Sequence, residues 1–258
     1  MKKIAIISIC LHAPYWIYQK RMMDSARKFL LKGHQVDFLV WTDNPKPEHG
    51  GIIFPTQPIV WPIPTLFRYG LFLQQEEKLK EYDYLFYLDS DMQIVSRVGD
   101  EILGDLVCAQ HPMYAIKREY VPPYEPNEKS EAFIKMPGRV IEIDGKKRFE
   151  PIYAAGGFQG GRSENFIKAM KMMKEMLDTD FQKNNYIPIW NDESIWNKYL
   201  LNHPAEVILS PSYVYPDSLV IPYYRKLWGR NYCPKIVSIT KPFTLSQEGG
   251  MNLQKLIT

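Results

Sequence analysis

Short apolar runs alternate with longer amphipathic stretches along the first part of the chain. Residues 3–10, 35–43 and 84–88 are short runs rich in aliphatic and aromatic residues, a composition typical of buried strands. Residues 17–32 repeat their apolar positions at helical spacing, and Gly33 follows where a helix would end. A strand, a helix and a second strand in this order predict a parallel sheet with a right-handed crossover.

A proline-rich stretch separates the second and third of these strands. Residues 44–64 are predicted to form a loop that contains a short strand near residues 52–54. Thr65 is placed to cap a helix that runs to about residue 82. The inward face of that helix is predicted to carry Leu66, Tyr69, Leu73 and Leu79.

The second half of the chain has a different pattern. Residues 114–149 are rich in loop-forming residues, including VPPYEP and a hydrophilic IDGKKRF turn. The glycines of IYAAGGFQGG, residues 152–161, indicate close approach of the backbone to a ligand, or tight turns between strands. No Gly-Lys-Ser/Thr follows, which excludes a phosphate-binding P-loop. Ser163 is predicted to cap a helix to about residue 177, and Asn191 or Asp192 to open another.

Length, cysteine content and charge exclude several classes of protein. At 258 residues the chain can bury a core that needs no disulfide support. Its three cysteines, Cys10, Cys108 and Cys233, are scattered and have no zinc-site spacing, which indicates a reducing compartment. The net charge of +3 is too small to indicate nucleic-acid binding.

The hydrophobic runs are also too short for membrane insertion. The amino terminus, MKKIAIISIC, lacks the longer apolar region and cleavage site of a signal peptide. No apolar stretch approaches the roughly 20 residues that span a bilayer. The chain is therefore expected to be soluble and to have no transmembrane segment.

Two carboxylates at the end of a predicted strand are the first candidate for chemistry. Asp89, Ser90 and Asp91 directly follow the apolar run at residues 84–88. Open α/β sheets bind ligands at the carboxyl ends of their strands, and aspartates two apart can reach one hard divalent cation. Such a cation keeps open positions that a diphosphate can fill, as in a nucleotide-sugar site. The alternative is an ordinary turn, because Asp and Ser often end strands.

Seven segments, in this order and spacing, carry a resemblance to a known family: VWTDNP, WP..TL.RY, YLFYLDSD, HPMY, YAAGGFQGG, IPIWNDES.WNKYLL and ILSPSYVYP. Together they resemble the retaining glycosyltransferases of family 6. The resemblance covers most of the chain. It implies an α/β glycosyltransferase fold of type A, with a Rossmann-like, mostly parallel central sheet flanked by helices.

The resemblance also implies a single catalytic domain over residues 1–258. Residues 1–95 would form the nucleotide-sugar-binding half, and residues 96–258 an acceptor-binding and catalytic half with a mobile carboxyl-terminal tail. Because the chain begins at its first strand, it is expected to be a compact form of bacterial or phage type, located in the cytoplasm.

Several residues match donor-binding positions of the family. Asp89 and Asp91 stand where metal-free relatives carry asparagines, which implies Mn²⁺ or another divalent cation as cofactor, with Ser90 beside the donor. Tyr15 would lie near the uracil, although an aromatic that packs on its own helix explains it nearly as well. Asp43 follows the strand that lines this pocket, and Arg68 would support the donor sugar unless it is a solvated surface charge.

The basic tail is a further donor-binding candidate. Lys226 and Arg230, with Lys235, lie in an aromatic-rich segment near the carboxyl terminus. Family members fold such a tail over the donor diphosphate, where a cation would neutralise the leaving group. A solvated basic surface is an equally open alternative.

The residues 190–193 match the family's Trp-His-Asp-Glu. The match places Glu193 beneath the anomeric carbon of the donor, as a nucleophile or as a carboxylate that stabilises an oxocarbenium-like ion pair. Asp192 would hold hydroxyls of the donor sugar. Without the resemblance, both acidic residues would be explained by the preference for acidic side chains in a first helical turn.

The acceptor and the donor sugar are less directly implied. His111, Trp190, Asn191 and Tyr215 match acceptor-side positions. However, Asn191 replaces a family histidine, Pro123 stands where a threonine often touches the acceptor, and residues 141–149 are an unusual insertion. Ala155, Gly156 and Gly157 align with the region that separates GalNAc from Gal donors, and their small size favours UDP-GalNAc, with UDP-Gal as the alternative.

The resemblance thus implies transfer of GalNAc or Gal from a UDP-sugar, in α1,3 linkage, to a galactose-containing oligosaccharide, fucosylated or not. Two other classes remain as alternatives. One is a catalytically silent sugar-binding protein on the same fold, which would not need Asp89, Asp91 and Glu193. The other is a phosphatase of the haloacid-dehalogenase type, which needs Thr or Val where Gln93 stands.

Overall fold

Strands and helices alternate through most of the chain. The computed structural model describes residues 1–47, 50–59, 62–116, 122–135, 139–143, 146–150, 153–217 and 233–240. Its strands are β1 (Lys3–Cys10), β2 (Gln35–Thr42), β3 (Ile52–Pro55), β4 (Tyr84–Leu88), β5 (Met92–Ile94), β6 (Val107–Gln110), β7 (Arg139–Ile143), β8 (Lys146–Glu150), β9 (Ala154–Arg162), β10 (Val207–Leu209), β11 (Tyr215–Pro216) and β12 (Ile236–Ser238). Its α-helices are α1 (Ala13–Phe29), α2 (Ile63–Leu66), α3 (Arg68–Leu73), α4 (Glu76–Leu79), α5 (Pro112–Ile116), α6 (Ser163–Gln182) and α7 (Asp192–Asn202).

A seven-stranded sheet lies at the centre, in the order β10-β6-β9-β4-β1-β2-β3. Strand β9 is antiparallel to its neighbours β4 and β6, and the other pairs in this sheet are parallel. The predicted parallel pairing of the first two strands is confirmed from Lys3↔Gln35 to Cys10↔Thr42. Because β1, β2 and β4 are parallel, their carboxyl ends meet at one edge of the sheet.

The core has two parts, one on each face of the sheet, as alternation along the strands requires. On one face Ile4, Ile6 and Phe86 pack against residues of α1 such as Met22. On the other face Ile7, Leu85 and Tyr87 pack against α3, α6 and α7. The largest fully buried side chains on that second face include Tyr69, Phe72 and Trp196.

Helix α1 begins and ends earlier than the sequence pattern predicts. It starts at Ala13, because Pro14 is tolerated in a first helical turn. It ends at Phe29, where the chain leaves the helix to bridge Leu30 with Val98. Gly33, with a φ of 98°, lies in the turn towards β2 instead of directly terminating the helix.

The single helix predicted from Thr65 to about residue 82 is wrong. Three short helices, α2, α3 and α4, replace it, with breaks at Phe67 and at Gln75. The Thr65 hydroxyl donates to the Pro62 carbonyl at 2.6 Å and does not cap a helix. Phe72, not Leu73, is fully buried. Apolar spacing therefore predicted most of the buried face but not the breaks, which depend on packing partners distant in sequence.

The glycine-rich segment is one strand, β9, and not a series of turns, although its register with β6 shifts between Cys108 and Gln110. At Gly160 an added Cβ would lie 2.4 Å from the Phe86 ring, and at Gly161 it would lie 2.4 Å from the Asp105 carbonyl oxygen. These two glycines therefore permit close contact within the protein. Most of the predicted hydrophilic turn, residues 146–149, belongs instead to β8, which pairs antiparallel with β7, and residues 144–145 lie outside the described residues.

The two helices of the second half follow their predicted starts. Helix α6 begins at Ser163 and extends to Gln182, beyond the predicted end. Its N-cap residue is Arg162, and the Ser163 hydroxyl makes no capping hydrogen bond. Helix α7 begins at Asp192 with Asn191 as the N-cap residue, as predicted. No helix in the described ranges is long and apolar enough to cross a membrane.

Candidate active site

The two aspartates that follow β4 lie at the carboxyl edge of the sheet. The Asp89 backbone N–H donates to the Gly157 carbonyl of β9 at 3.2 Å. The Asp89 side chain remains 40% exposed, whereas Ser90 and Asp91 are buried. Strand β5 follows directly, so that the aspartates occupy a short, fixed connection between two strands.

A cleft of about 250 Å³ opens at this edge. It brings together five residues predicted to bind a donor or metal: Tyr15, Arg68, Asp89, Ser90 and Asp91. Six further residues line the cleft and were not predicted from the sequence to bind a donor or metal: Ile9, Leu11, His12, Pro64, Thr65 and Tyr87. Strand alternation places Tyr87 on the same sheet face as Asp89, a signal that could have identified Tyr87.

Arg68 is a buried charge and not a solvated one. Its guanidinium lies 3.3 Å from Asp192 and 3.9 Å from Asp89, and it stacks 4.3 Å from the centre of the Tyr87 ring. Although Arg68 Nε and Asp192 Oδ2 are close, their angle is not that of a hydrogen bond, and neither atom has another partner among the described residues. Burial by itself would lower the pKa of Arg68, but Asp192, Tyr87, Asp89 and Tyr69 together more than reverse this effect. Arg68 therefore remains a cation.

Asp192 and Glu193 enter the site from the start of α7. Asn191 has φ 52° and ψ −126°, and the Glu193 N–H donates to the Trp190 carbonyl at 3.0 Å. This geometry resembles a type II′ turn, which directs the next two side chains towards Arg68 and β9. Burial raises the pKa of Asp192 to about 7, with Arg68 acting in the opposite direction and Asp89 adding to the rise.

Glu193 is held by the backbone of β9. Its Oε2 accepts the Gly156 N–H at 2.7 Å. The Tyr153 hydroxyl also lies beside this carboxylate, but it is buried without a hydrogen bond of regular geometry to any described residue. Burial raises the pKa of Glu193, and the Gly156 N–H and Tyr153 hydroxyl counteract it. The carboxylate is therefore fixed in position beside Arg68.

The donor set fits a hard divalent cation. Asp89 and Asp91 offer carboxylate oxygens, the ligands that such cations prefer. Asp89, Asp192 and Glu193 interact with the Arg68 cation, and Asp91 lines the same cleft, so the site carries an excess of negative charge that a divalent cation would offset. No group of three or more His, Cys, Asp or Glu side chains placed to hold a metal occurs in the described ranges. A bound diphosphate would have to supply the remaining ligands.

Asp43 stabilises one wall of the cleft through hydrogen bonds. Both of its carboxylate oxygens lie 3.0 Å from the His12 N–H, and Oδ1 also accepts the Trp16 indole N–H at 3.0 Å. His12 has a φ of 71°, in the left-handed region that is unfavourable for a residue with a side chain. Asp43 thus stabilises the turn that places His12 and Tyr15 in the cleft wall.

The small residues of β9 lie next to the aspartates. A Cβ at Gly157 would lie 2.7 Å from Asp89 Oδ2 and 2.6 Å from Met92 Cε, and a Cβ at Gly156 would lie 3.2 Å from the Glu193 side chain. Ala155 is 7% exposed and packs in the core with Met92. Gly156 and Gly157 therefore allow the candidate catalytic and metal-binding carboxylates to approach β9.

His111, one of the predicted acceptor residues, packs against Tyr153, whose hydroxyl lies beside Glu193. The Tyr153 ring lies within 5.7 Å of the rings of His111, Tyr114 and Tyr124, measured between centroids. His111 Nδ1 accepts the Met113 N–H at 3.2 Å, which places the proton of the neutral ring on Nε2. Trp190, three residues before Glu193, is 47% exposed. Aromatic rings and an imidazole therefore adjoin the Glu193 carboxylate.

The remaining predictions have different outcomes. Tyr215 is 5% exposed in β11, which pairs with β12. Lys226 and Arg230 lie outside the described residues. Lys235 lies 2.6 Å from Glu101 and stacks on Tyr213, so it belongs to an ion pair at the end of β12.

Comparisons with known proteins agree with this geometry. A model of the family described as glycosyltransferase family 6 matches residues 71–230. The chain is 30% identical over 217 residues to histo-blood group ABO system transferase 1 of Rattus norvegicus, and 29% identical over 215 residues to globoside alpha-1,3-N-acetylgalactosaminyltransferase 1 of Homo sapiens. These matches cover 80% and 79% of this chain but 59% and 58% of the relatives.

A bacterial relative is also similar. O-antigen biosynthesis glycosyltransferase WbnI of Escherichia coli is 26% identical over 180 residues, which is 69% of this chain and 67% of that protein. The chain spans less than two thirds of the length of the two mammalian relatives.

Proposed function

This chain belongs to glycosyltransferase family 6, and we propose on that basis that it transfers a hexosyl group from a nucleotide sugar to a glycan with retention of configuration. The mostly parallel sheet flanked by helices is consistent with a type A glycosyltransferase fold. We propose UDP-GalNAc as the donor, with UDP-Gal as the alternative, and a galactose-containing oligosaccharide as the acceptor. The new linkage would be α1,3.

The observation that carries this proposal is the position of Glu193. Its carboxylate is fixed by the Gly156 N–H at 2.7 Å, while Arg68 links the neighbouring Asp192 to Asp89 of the cleft. A cleft that could hold a diphosphate and a buried, oriented carboxylate therefore lie next to each other. Retention requires an anion of this kind on one face of the anomeric carbon.

The aspartates after β4 would hold the donor through its diphosphate. Asp89 and Asp91 would bind Mn²⁺ or another divalent cation, which supplies positive charge to the diphosphate when bound. Tyr87 and Arg68 orient Asp89, and Arg68 also lies beside Asp192, which would hold the sugar hydroxyls. Donor recognition thus depends on a buried network instead of isolated surface charges.

Glu193 would stabilise the sugar as the bond to UDP breaks. Positive charge develops at the anomeric carbon, and a fixed carboxylate stabilises it more in the transition state than in the ground state. The acceptor hydroxyl then attacks on the face that UDP leaves, or Glu193 first forms a covalent intermediate. Both routes give the α-linkage.

The acceptor would bind on the aromatic side of Glu193. His111 offers an Nε2–H donor, and the exposed Trp190 ring offers an apolar face for a sugar. His111 packs on Tyr153, which lies beside Glu193, and the Trp190 carbonyl accepts the Glu193 N–H.

A transfer assay tests the proposal. The protein would be incubated with UDP-GalNAc, UDP-Gal or UDP-Glc and a glycan array, with Mn²⁺ present. We expect transfer from UDP-GalNAc or UDP-Gal to galactose-terminated glycans, with an α-linked product by NMR. A β-linked product would contradict retention, and hydrolysis of aryl phosphates in place of transfer would favour the phosphatase alternative.

A further inference from the structure

A buried carboxylate outside the donor cleft joins two loops of the second half. Glu125 is 1% exposed. Its Oε1 accepts the Asn127 N–H at 2.9 Å and the Tyr186 hydroxyl at 2.8 Å, and its Oε2 accepts the Ile189 N–H at 2.7 Å. Three donors of good geometry thus converge on one carboxylate.

These hydrogen bonds offset the free-energy cost of burying the carboxylate. A buried carboxylate is costly unless hydrogen bonds replace its water, and bonds to an ionised acceptor are stronger than neutral ones. Among the residues that the structure describes, no lysine or arginine forms an ion pair with Glu125. The carboxylate therefore fixes a geometry between the two loops.

Both loops lead directly to the acceptor side of Glu193. Tyr124, the residue before Glu125, has its ring 5.4 Å from that of Tyr153. Ile189 precedes Trp190, whose carbonyl accepts the Glu193 N–H. Glu125 consequently links the segment that carries Tyr124 to the segment that carries Trp190.

We propose that Glu125 is a positioning residue for the acceptor: it holds residues 186–190 and the segment that carries Tyr124 in the relative placement that a glycan needs. The inference rests on the proposed function, because it assumes an acceptor between these aromatic groups. Glu125 touches neither the donor cleft nor the Glu193 carboxylate, so it acts through Trp190 and Tyr124.

Glu125→Gln is the variant that tests this role. The glutamine keeps the shape of the side chain, but an NH₂ group, which only donates, replaces one acceptor oxygen. The one remaining oxygen cannot accept from Ile189 and Tyr186 together. Without any substrate, we expect amide exchange of residues 186–190 to rise about ten-fold, as for the loss of one charge-assisted hydrogen bond. Unchanged exchange would overturn the inference.

Asp180→Asn supplies the matched control. Asp180 is also fully buried, and it accepts from Ser130 Oγ at 2.6 Å, Glu131 N at 2.8 Å and Asn184 Nδ2 at 2.9 Å. It joins neighbouring parts of the same two loops but does not bond Ile189 or Tyr186 through its side chain. The control should lower the unfolding temperature without changing the affinity for an acceptor.

Kinetics with lactose as the probe separate positioning from general damage. For Glu125→Gln we expect the KM for lactose to rise about ten-fold, while hydrolysis of the UDP-sugar in the absence of lactose stays within about two-fold. An equal fall of transfer and hydrolysis, or the same KM change in Asp180→Asn, would overturn the inference. If the wild-type protein does not use lactose, the proposed acceptor class is wrong, and the exchange measurement alone decides the role of Glu125.

Discussion

At the scale of single residues, Tyr87 shows how a side chain outside the Asp-Ser-Asp motif orients a carboxylate within it. Its hydroxyl donates to Asp89 Oδ1, and its ring stacks on Arg68. Groups that orient a metal ligand typically affect metal affinity by about 10- to 100-fold. Tyr87→Phe keeps the ring but removes the donor, so Mn²⁺ bound with UDP should be held at least about ten-fold more weakly.

Manganese titration followed by electron paramagnetic resonance measures this change directly. Tyr84→Phe is the matched control, because Tyr84 lies on the opposite face of the same strand and stacks near Arg162. Equal Mn²⁺ affinity in the Tyr87 variant and the wild type would show that the hydroxyl only satisfies its own hydrogen bonding.

Substitution of Glu193 should affect turnover much more than binding of UDP. In the proposed mechanism the carboxylate would stabilise charge that exists in the transition state, so Glu193→Gln should lower turnover by orders of magnitude and change UDP affinity little. Single-turnover kinetics and UDP calorimetry measure the two quantities. Wild-type turnover in this variant would contradict the proposed role.

His111 should make stability depend on pH. Burial lowers the pKa of His111 from 6.5 to about 4. Between these values the unfolded chain binds a proton that the folded protein does not, so this contribution to stability is lost as pH falls from 6.5 towards 4. Relative to His111→Asn, the wild-type free energy of unfolding should therefore decrease over this range. Denaturant titrations at several pH values test it, and a constant difference would contradict the burial of a neutral ring.

At the scale of secondary structure, the sequence was most informative where apolar runs are short and local. The boundaries of β1 and β4 and the start of α7 follow from such runs and from a capping position. The breaks between α2, α3 and α4 do not follow from local apolar runs, because these breaks depend on how the helices pack against α6. The same limit applies to the site: the motif predicted Asp89, and strand alternation could have added Tyr87, but only contacts between separate elements bring Tyr153 beside Glu193.

The turn that opens α7 should carry strain. Asn191 has φ 52° and ψ −126°, a conformation that favours glycine. Such a residue costs on the order of 1–3 kcal/mol. Asn191→Gly should therefore raise the free energy of unfolding by about 1 kcal/mol, while Asn191→Ala should lower it, because alanine lacks the polar side chain that favours positive φ.

Chemical denaturation of both variants tests this strain. Asn185→Gly is a useful reference, since Asn185 also has a positive φ, of 50°, but lies in the loop before the site. If the glycine at 191 stabilises the protein yet lowers transfer, the asparagine side chain itself contacts substrate. No gain in stability would contradict the strain.

At the scale of the whole molecule, the candidate site joins the two predicted halves of the chain. Asp89 and Arg68 come from the first half, whereas Gly156, Asp192 and Glu193 come from the second. Strand β9 makes this possible by returning antiparallel between β4 and β6. A ligand bound across these elements should therefore stabilise the protein as a unit.

UDP and Mn²⁺ together should raise the unfolding temperature more than the sum of their separate effects. In the proposed site the diphosphate would complete the ligand set offered by Asp89 and Asp91, so each ligand would increase the affinity for the other. A ligand at 100 times its Kd adds about 2.7 kcal/mol to the folded state. Asp91→Asn should remove the joint effect, whereas Asp105→Asn, which alters the exposed pair with Arg162, should retain it. A shift by UDP that is the same in EDTA and in Mn²⁺ would show that nucleotide binding does not depend on these aspartates through a metal.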